Sequence, residues 1–271
     1  MAFLDDPDAR HQIAGCFILY EETHRPNKSD PIKRLYPVAE ITSITTGSPE
    51  SLEQSATWIR NCLETHPACQ SESAARKPSR LLQVQQLDEM VRLRLQDAEE
   101  LVDDTVYATL SHCWGGALPL RLSMDNYGSF KRMITFADLP RTFQEAVSVT
   151  ISLGISYIWI DALCIIQDSK EDWAHEAALM DGVYANALVN LAAAASGNSS
   201  GGLFRFREPH SITPCSITFK DGNQALVYSS QTGLDLLNSP LNSRGWVSQE
   251  RILATRQLSF TATLSIGNVT L

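Results

Sequence analysis

Three stretches of this chain place reactive side chains where a site could use them. The run "YIWIDALCIIQD", Tyr157 to Asp168, carries Asp161 inside a segment of large apolar residues. The run "YATLSHCWGG" carries Ser111, His112, Cys113 and Trp114 in succession. A carboxylate can stabilise developing positive charge, a histidine can move a proton, and an indole face can stack on a planar base. Taken singly, each has a structural reading: Asp161 could cap a loop, and His112 could be a satisfied core histidine. Cys62, His66 and Cys69 form C-x3-H-x2-C in the third stretch. Zinc usually takes four such ligands, only three are clustered, and Cys62 and His66 at i, i+4 suit one helix face, so packing is the favoured reading. A thiol nucleophile from Cys113 or Cys164 is the weakest alternative, because adjacent His112 and Cys113 would point to opposite faces of a strand. No P-loop or G-x-G-x-x-G occurs, which leaves ATP-dependent and ordinary dehydrogenase chemistry unsupported.

The elements around these residues decide whether they meet. "VYATLSHCW" reads as a strand, "LPRTFQEAVSVTISLG" as a helix, "YIWI" as a strand, "SKEDWAHEAALMDGVYANA" as a helix and "LVNLAAAA" as a strand. Phe143, Val147 and Ile151 share a face of the first helix, and Gly154 stops it. Ser169 and Asp172 make a capping box for the second, with Trp173, Ala177, Met180 and Tyr184 on one face. Such alternation predicts an α/β fold with a parallel sheet flanked by helices. Ligands then bind beyond the carboxyl ends of the strands. Ser111, His112 and Trp114 at one strand end and Asp161 at the next would share one mouth.

Upstream, "SPESLEQSATWIRNCLETH" predicts a helix with Ser48 as N-cap, Pro49 at its first position and Leu52, Ala56, Ile59 and Leu63 on one face. "CFILY" and "RLLQV" are strand candidates, residues 70–79 a polar linker, and the acidic 95–104 a solvated loop or helix face. "SITPCSITF" and "QALVYS" flank Asp221-Gly222, a late β-hairpin signal. "RGWVSQERIL" reads as a short helix and "QLSF" as a last strand. The 271 residues carry a net charge of −9, which argues against phosphate-neutralising nucleic-acid binding and against a polybasic membrane anchor. No apolar run is long enough to span a bilayer, the acidic N-terminus is no signal peptide, and six scattered cysteines are no disulfide framework. The expectation is a reducing, cytoplasmic setting.

Several blocks together resemble a known family. "YATLSHCWGG", "LPRTFQEAV", "LGISYIWIDALCIIQDSKEDWAHEAALMDGVYANA", "GLF" and "SRGWVSQERIL" are similar in wording, order and spacing to the fungal heterokaryon-incompatibility (HET) domain. "WIRNCLETHPAC" resembles the segment that often precedes it, so the likeness covers roughly residues 56–260. The resemblance implies a role in fungal non-self recognition and programmed cell death, with other incompatibility proteins or self-association as partners. It also implies a distant relation to the Toll/interleukin-1 receptor (TIR) domain, a flavodoxin-like fold some of whose members cleave NAD. TIR domains carry S-x-W-C-x-x-E-L with a catalytic Glu. Here Trp246 and Glu250 keep that spacing, while Ser243 lies three residues before the Trp and Val247 replaces the Cys.

On this likeness Glu250, with Asp161, is the candidate catalytic carboxylate. Ser111, His112, Trp114, Arg244 and Trp246 are the candidate nucleotide contacts, and NAD the candidate substrate. Equally, Arg244, Glu250 and Arg251 could be ion pairs that lock the last helix, with Trp246 a core anchor. The likeness lays the chain out as an N-terminal extension (1–79), the HET domain (80–260) and an atypical end (261–271). Where the family continues with an aromatic- and acid-containing strand, this chain has "LSIGNVTL".

Overall fold

The structure is a computed structural model; it describes residues 17–21, 43–69, 78–102, 104–116, 120–207, 215–218, 224–229, 238–262 and 265–269. Among the described residues ten strands are assigned: β1 Phe17–Glu21, β2 Arg80–Leu87, β3 Met90–Asp97, β4 Ala108–Ser111, β5 Tyr157–Trp159, β6 Val189–Ala192, β7 Cys215–Thr218, β8 Gln224–Ser229, β9 Arg256–Phe260 and β10 Ser265–Val269. The α-helices are α1 Pro49–Thr65, α2 Tyr127–Arg132, α3 Arg141–Ser152, α4 Asp161–Cys164, α5 Lys170–Ala185 and α6 Val247–Leu253.

Seven strands form one sheet in the order β10-β9-β6-β4-β5-β2-β3. Its centre is parallel: β4 pairs with β5 on one side and β6 on the other, and β6 pairs with β9. Numbered by first appearance, these four strands run 2-1-3-4, the flavodoxin-like order. The chain therefore leaves β4, adds β5 on one flank, and crosses back to add β6 on the other. That reversal opens a crevice at the carboxyl ends of β4 and β6. All residues of β4 and β6 are buried, as expected for parallel strands covered on both faces.

The sheet is extended by antiparallel strands at both ends. β2 pairs with β5 and with β3, and β10 pairs with β9 over five residues. The expected strand at 80–84 is thus the first arm of a hairpin. Its tight turn holds Asp88 at φ 52. The acidic segment 95–104 is corrected in part: Leu95, Gln96 and Asp97 end β3, with Leu95 and Gln96 buried, and only the residues after them leave the sheet. Alternation of Leu93 and Leu95 with Arg92 and Arg94 was the signal for that strand. The late hairpin is present as β7 paired with β8, which also pairs with β1; its expected Asp221-Gly222 turn lies outside the described residues.

Helix termini follow their caps. The Ser48 hydroxyl accepts from the Ser51 amide at α1, with Pro49 opening the helix. The Ser169 hydroxyl accepts from the Asp172 amide at α5, and Gly154, at φ 72, follows α3. The buried side of α1 centres on Ser55 and Cys62, and Leu63 is exposed, so the helix is rotated by about one position from the expected face. In α5 the core side holds Glu176, Val183 and Tyr184. Glu176 is tolerated there because Arg80, also buried, pairs with both Glu176 (3.2 Å) and Asp172 (2.7 Å). Among the described residues no helix is long and apolar enough to cross a membrane.

Candidate functional site

Beyond the carboxyl ends of the parallel strands lies a cavity of about 490 Å³. That size is within the range of small-molecule sites. The loop after β4 contributes Cys113, Trp114 and Gly115; the turn after β5 contributes Asp161, Ile165 and Gln167. Helix α5 supplies Trp173, Ala177 and Met180, the segment leading into α6 supplies Ser243, Arg244 and Trp246, and α6 itself supplies Glu250. Gly115 has φ 75, and a Cβ there would come within 2.4 Å of the Asn198 Cβ. Glycine is needed at this point for the loop to pack against the β6 loop.

Asp161 is not buried midway in a strand. β5 ends at Trp159, Ile160 is the cap residue, and Asp161 opens the one-turn helix α4, whose Ala162, Leu163 and Cys164 are buried beneath it. One Asp161 oxygen accepts from its neighbour's amide, Ala162, at 2.7 Å. The other accepts from the Trp114 indole N–H at 2.9 Å. The two expected strand ends therefore meet through a direct hydrogen bond, and the Trp114 ring is held as a wall of the cavity.

Arg244 ties the far wall to this pair. Its guanidinium donates to the His112 carbonyl and lies 3.8 Å from Asp161 and 3.7 Å from Glu250. Glu250 is almost fully buried, with 2% of its surface exposed; Ser111 lies beneath its carboxyl, and its Oε2 has no hydrogen-bond partner among the described residues. Burial pushes its carboxyl pKa up, and the Arg244 charge opposes that rise. The amide of Glu250 bonds the Trp246 carbonyl at 3.1 Å, so the i, i+4 spacing does place both on one helical turn. Trp246 is about half exposed at the rim, not a core anchor.

Five of the seven residues singled out from the sequence line the cavity: Asp161, Glu250, Trp114, Arg244 and Trp246. Ser111 and His112 lie under it. Ser111, 1% exposed, donates to Asn190 Oδ1 of β6 at 3.2 Å. Asn190 continues to Gln257 of β9, making a polar ladder across three strands. His112 is fully buried, edge-on to Phe143, with neither ring nitrogen hydrogen-bonded; Asp161 lies 3.7 Å from Nδ1. Burial lowers its pKa, which favours the neutral ring, while Asp161 opposes that shift; the expectation of a satisfied core histidine is only half right. The thiols do not suit nucleophilic work. Burial raises the Cys113 pKa and pushes Cys164 up to about 12, leaving both protonated near neutrality.

Sequence reasoning missed Gln167, Trp173 and Met180. The last two belong to the apolar face expected of α5; its Tyr184 end is buried in the core, while Met180 and the 53%-exposed Trp173 border the cavity. A second missed feature explains the "GLF" block. Glu145 of α3 accepts from the amides of Leu203 and Phe204 at 2.5 and 2.7 Å. Gly202 sits at φ 76 so that these amides can approach.

Residues 107–250 match the family model described as heterokaryon incompatibility protein (HET). The chain belongs to the HET family. The match begins just before β4 and ends on Glu250, so it takes in every segment of the cavity wall. A heterokaryon-incompatibility-related role follows from membership. Comparison with curated proteins and with solved structures each gave no match.

Proposed function

We propose that this HET protein is an effector of fungal non-self recognition that triggers programmed cell death in the cytoplasm by cleaving NAD in the cavity above β4 and β6. The observation that carries this reading is Glu250: a nearly fully buried carboxylate, one oxygen unpaired, on the wall of a small-molecule-sized cavity at a sheet switch point. A buried carboxylate without full hydrogen bonding is costly unless something else meets it. A ribose whose C1′ gains positive charge is such a group. In the reaction the bond between C1′ and the nicotinamide nitrogen breaks, and both electrons leave with neutral nicotinamide. Water then adds to C1′ and loses a proton. In its ionised form Glu250 stabilises the cationic sugar, the Arg244 charge beside it favours that form against burial and is offered to the diphosphate, and Trp114 and Trp246 present ring faces to the bases. Asp161 fixes Trp114 and Arg244 in place. Incubating the purified chain with NAD and following nicotinamide tests this. Turnover that falls in Glu250→Gln supports it; no turnover by a folded sample, or equal turnover in the variant, rejects it.

A second reading is a non-enzymatic module that signals by self-association or by binding another incompatibility protein. It is favoured by large side chains exposed around the same mouth, Trp173 and Trp246 at 53% and 52%. A cell-death assay separates the two, since a binding module still kills when Glu250→Gln is folded.

A further inference from the structure

We infer that Cys62, His66 and Cys69 form a zinc site that staples the turn Pro67–Cys69 to the end of α1, beneath Arg256 of β9. The fold gathers the three side chains for which spacing alone favoured packing. Their ligand atoms all lie within 4.8 Å of one another, with both cysteines buried and His66 exposed. Zinc–sulfur and zinc–nitrogen bonds of about 2.3 and 2.0 Å put tetrahedral ligands roughly 3.3–3.8 Å apart. The group closes on an ion with a shift of about 1 Å, which the exposed His66 side chain can supply by rotation. The backbone already holds this arrangement. Cys62 lies in the last turn of α1, His66 is its C-cap with its amide on the Cys62 carbonyl at 3.1 Å, and the Cys69 amide bonds the His66 carbonyl at 3.0 Å. The chain thus doubles back through the 3-10 turn Pro67–Cys69 to bring the second thiol beside the first.

The surroundings suit a thiolate-bound cation. Arg256 of β9 donates from Nε to Cys62 Sγ at 3.2 Å and from Nη2 to the Cys69 carbonyl at 2.6 Å. An N–H directed at a ligating sulfur is the outer-shell support that metal thiolates use. Two thiolates and one imidazole around a divalent ion make a neutral centre, so the buried guanidinium meets no excess positive charge. Binding displaces one proton from each thiol. Soft sulfur with imidazole selects zinc over calcium or magnesium. Three protein ligands leave a fourth position on the solvent side, where His66 lies, for water or an added ligand.

Metal analysis of the full chain, purified without chelator and under reducing conditions, tests this. About one zinc per chain is expected, along with thiolate-to-metal charge-transfer absorption when cobalt replaces it. His66→Ala, an exposed change that leaves packing intact, should weaken zinc retention, and Cys69→Ser should abolish it. A chelator should lower the melting temperature of the wild type and leave that of His66→Ala nearly unmoved. Absence of zinc together with no cobalt absorption overturns the site. So does unchanged zinc in both variants, or a Cys62–Cys69 disulfide in the freshly isolated chain.

Discussion

Glu250 and His112 are both buried beside Asp161 and Arg244, but burial acts on them in opposite senses. For Glu250 it raises the carboxyl pKa from 4.5. The folded state then holds a proton that the unfolded chain has released, so stability is lost as pH rises from 4.5 through the folded value. Glu250→Gln removes that loss, and thermal unfolding as a function of pH should show a flatter fall for the variant. For His112 burial lowers the pKa from 6.5. The ring must stay neutral to remain folded, so stability is lost as pH falls below 6.5 through the folded value. His112→Gln, neutral throughout, should lessen the fall in melting temperature just below pH 6.5, leaving the fall at lower pH that carboxylates such as Asp97 contribute. If Glu250 acts on a cationic transition state, Glu250→Gln should also cut nicotinamide release by about 10²–10³-fold at unchanged fold, read by single-turnover assay.

At the scale of elements, two links join segments far apart in the chain. Arg80 of β2 donates from Nε to the Cys164 carbonyl at 2.7 Å and pairs with Asp172 and Glu176 of α5. It joins the antiparallel arm, the turn after Asp161 and the helix that carries Trp173. Arg80→Ala leaves Glu176 buried without its cation and should cost about 3–5 kcal/mol in denaturant unfolding. Gly202 lets Glu145 reach the Leu203 and Phe204 amides, and a Cβ there would sit 2.6 Å from the carboxylate. Gly202→Ala should cost more than about 1 kcal/mol, because an alanine is strained at this φ whatever the space. Neither link was legible in the sequence. Arg80 and Glu176 are 96 residues apart, and no local pattern reports a pairing across that distance. The caps Ser48 and Ser169 were legible because a cap is satisfied within three residues.

For the whole molecule, occupancy of the cavity should be visible in stability. A ligand at a hundred times its dissociation constant adds about 2.7 kcal/mol, so NAD should raise the melting temperature of Glu250→Gln, which binds without turning over. Alternating apolar and amphipathic segments were enough to determine an α/β protein with a central parallel sheet, because burial on both faces writes itself into each strand. They also placed Asp161 and Trp114 at adjoining strand ends, since strands joined by one crossover are usually neighbours. The tertiary structure alone decided the rest. Strand order brought β6 against β4 and moved Ser111 and His112 under the cavity, while chain reversal after α1 set Cys69 beside Cys62. Arg244 reached both carboxylates only because α6 folds over the mouth, and such approaches depend on contacts between residues that no local periodicity relates.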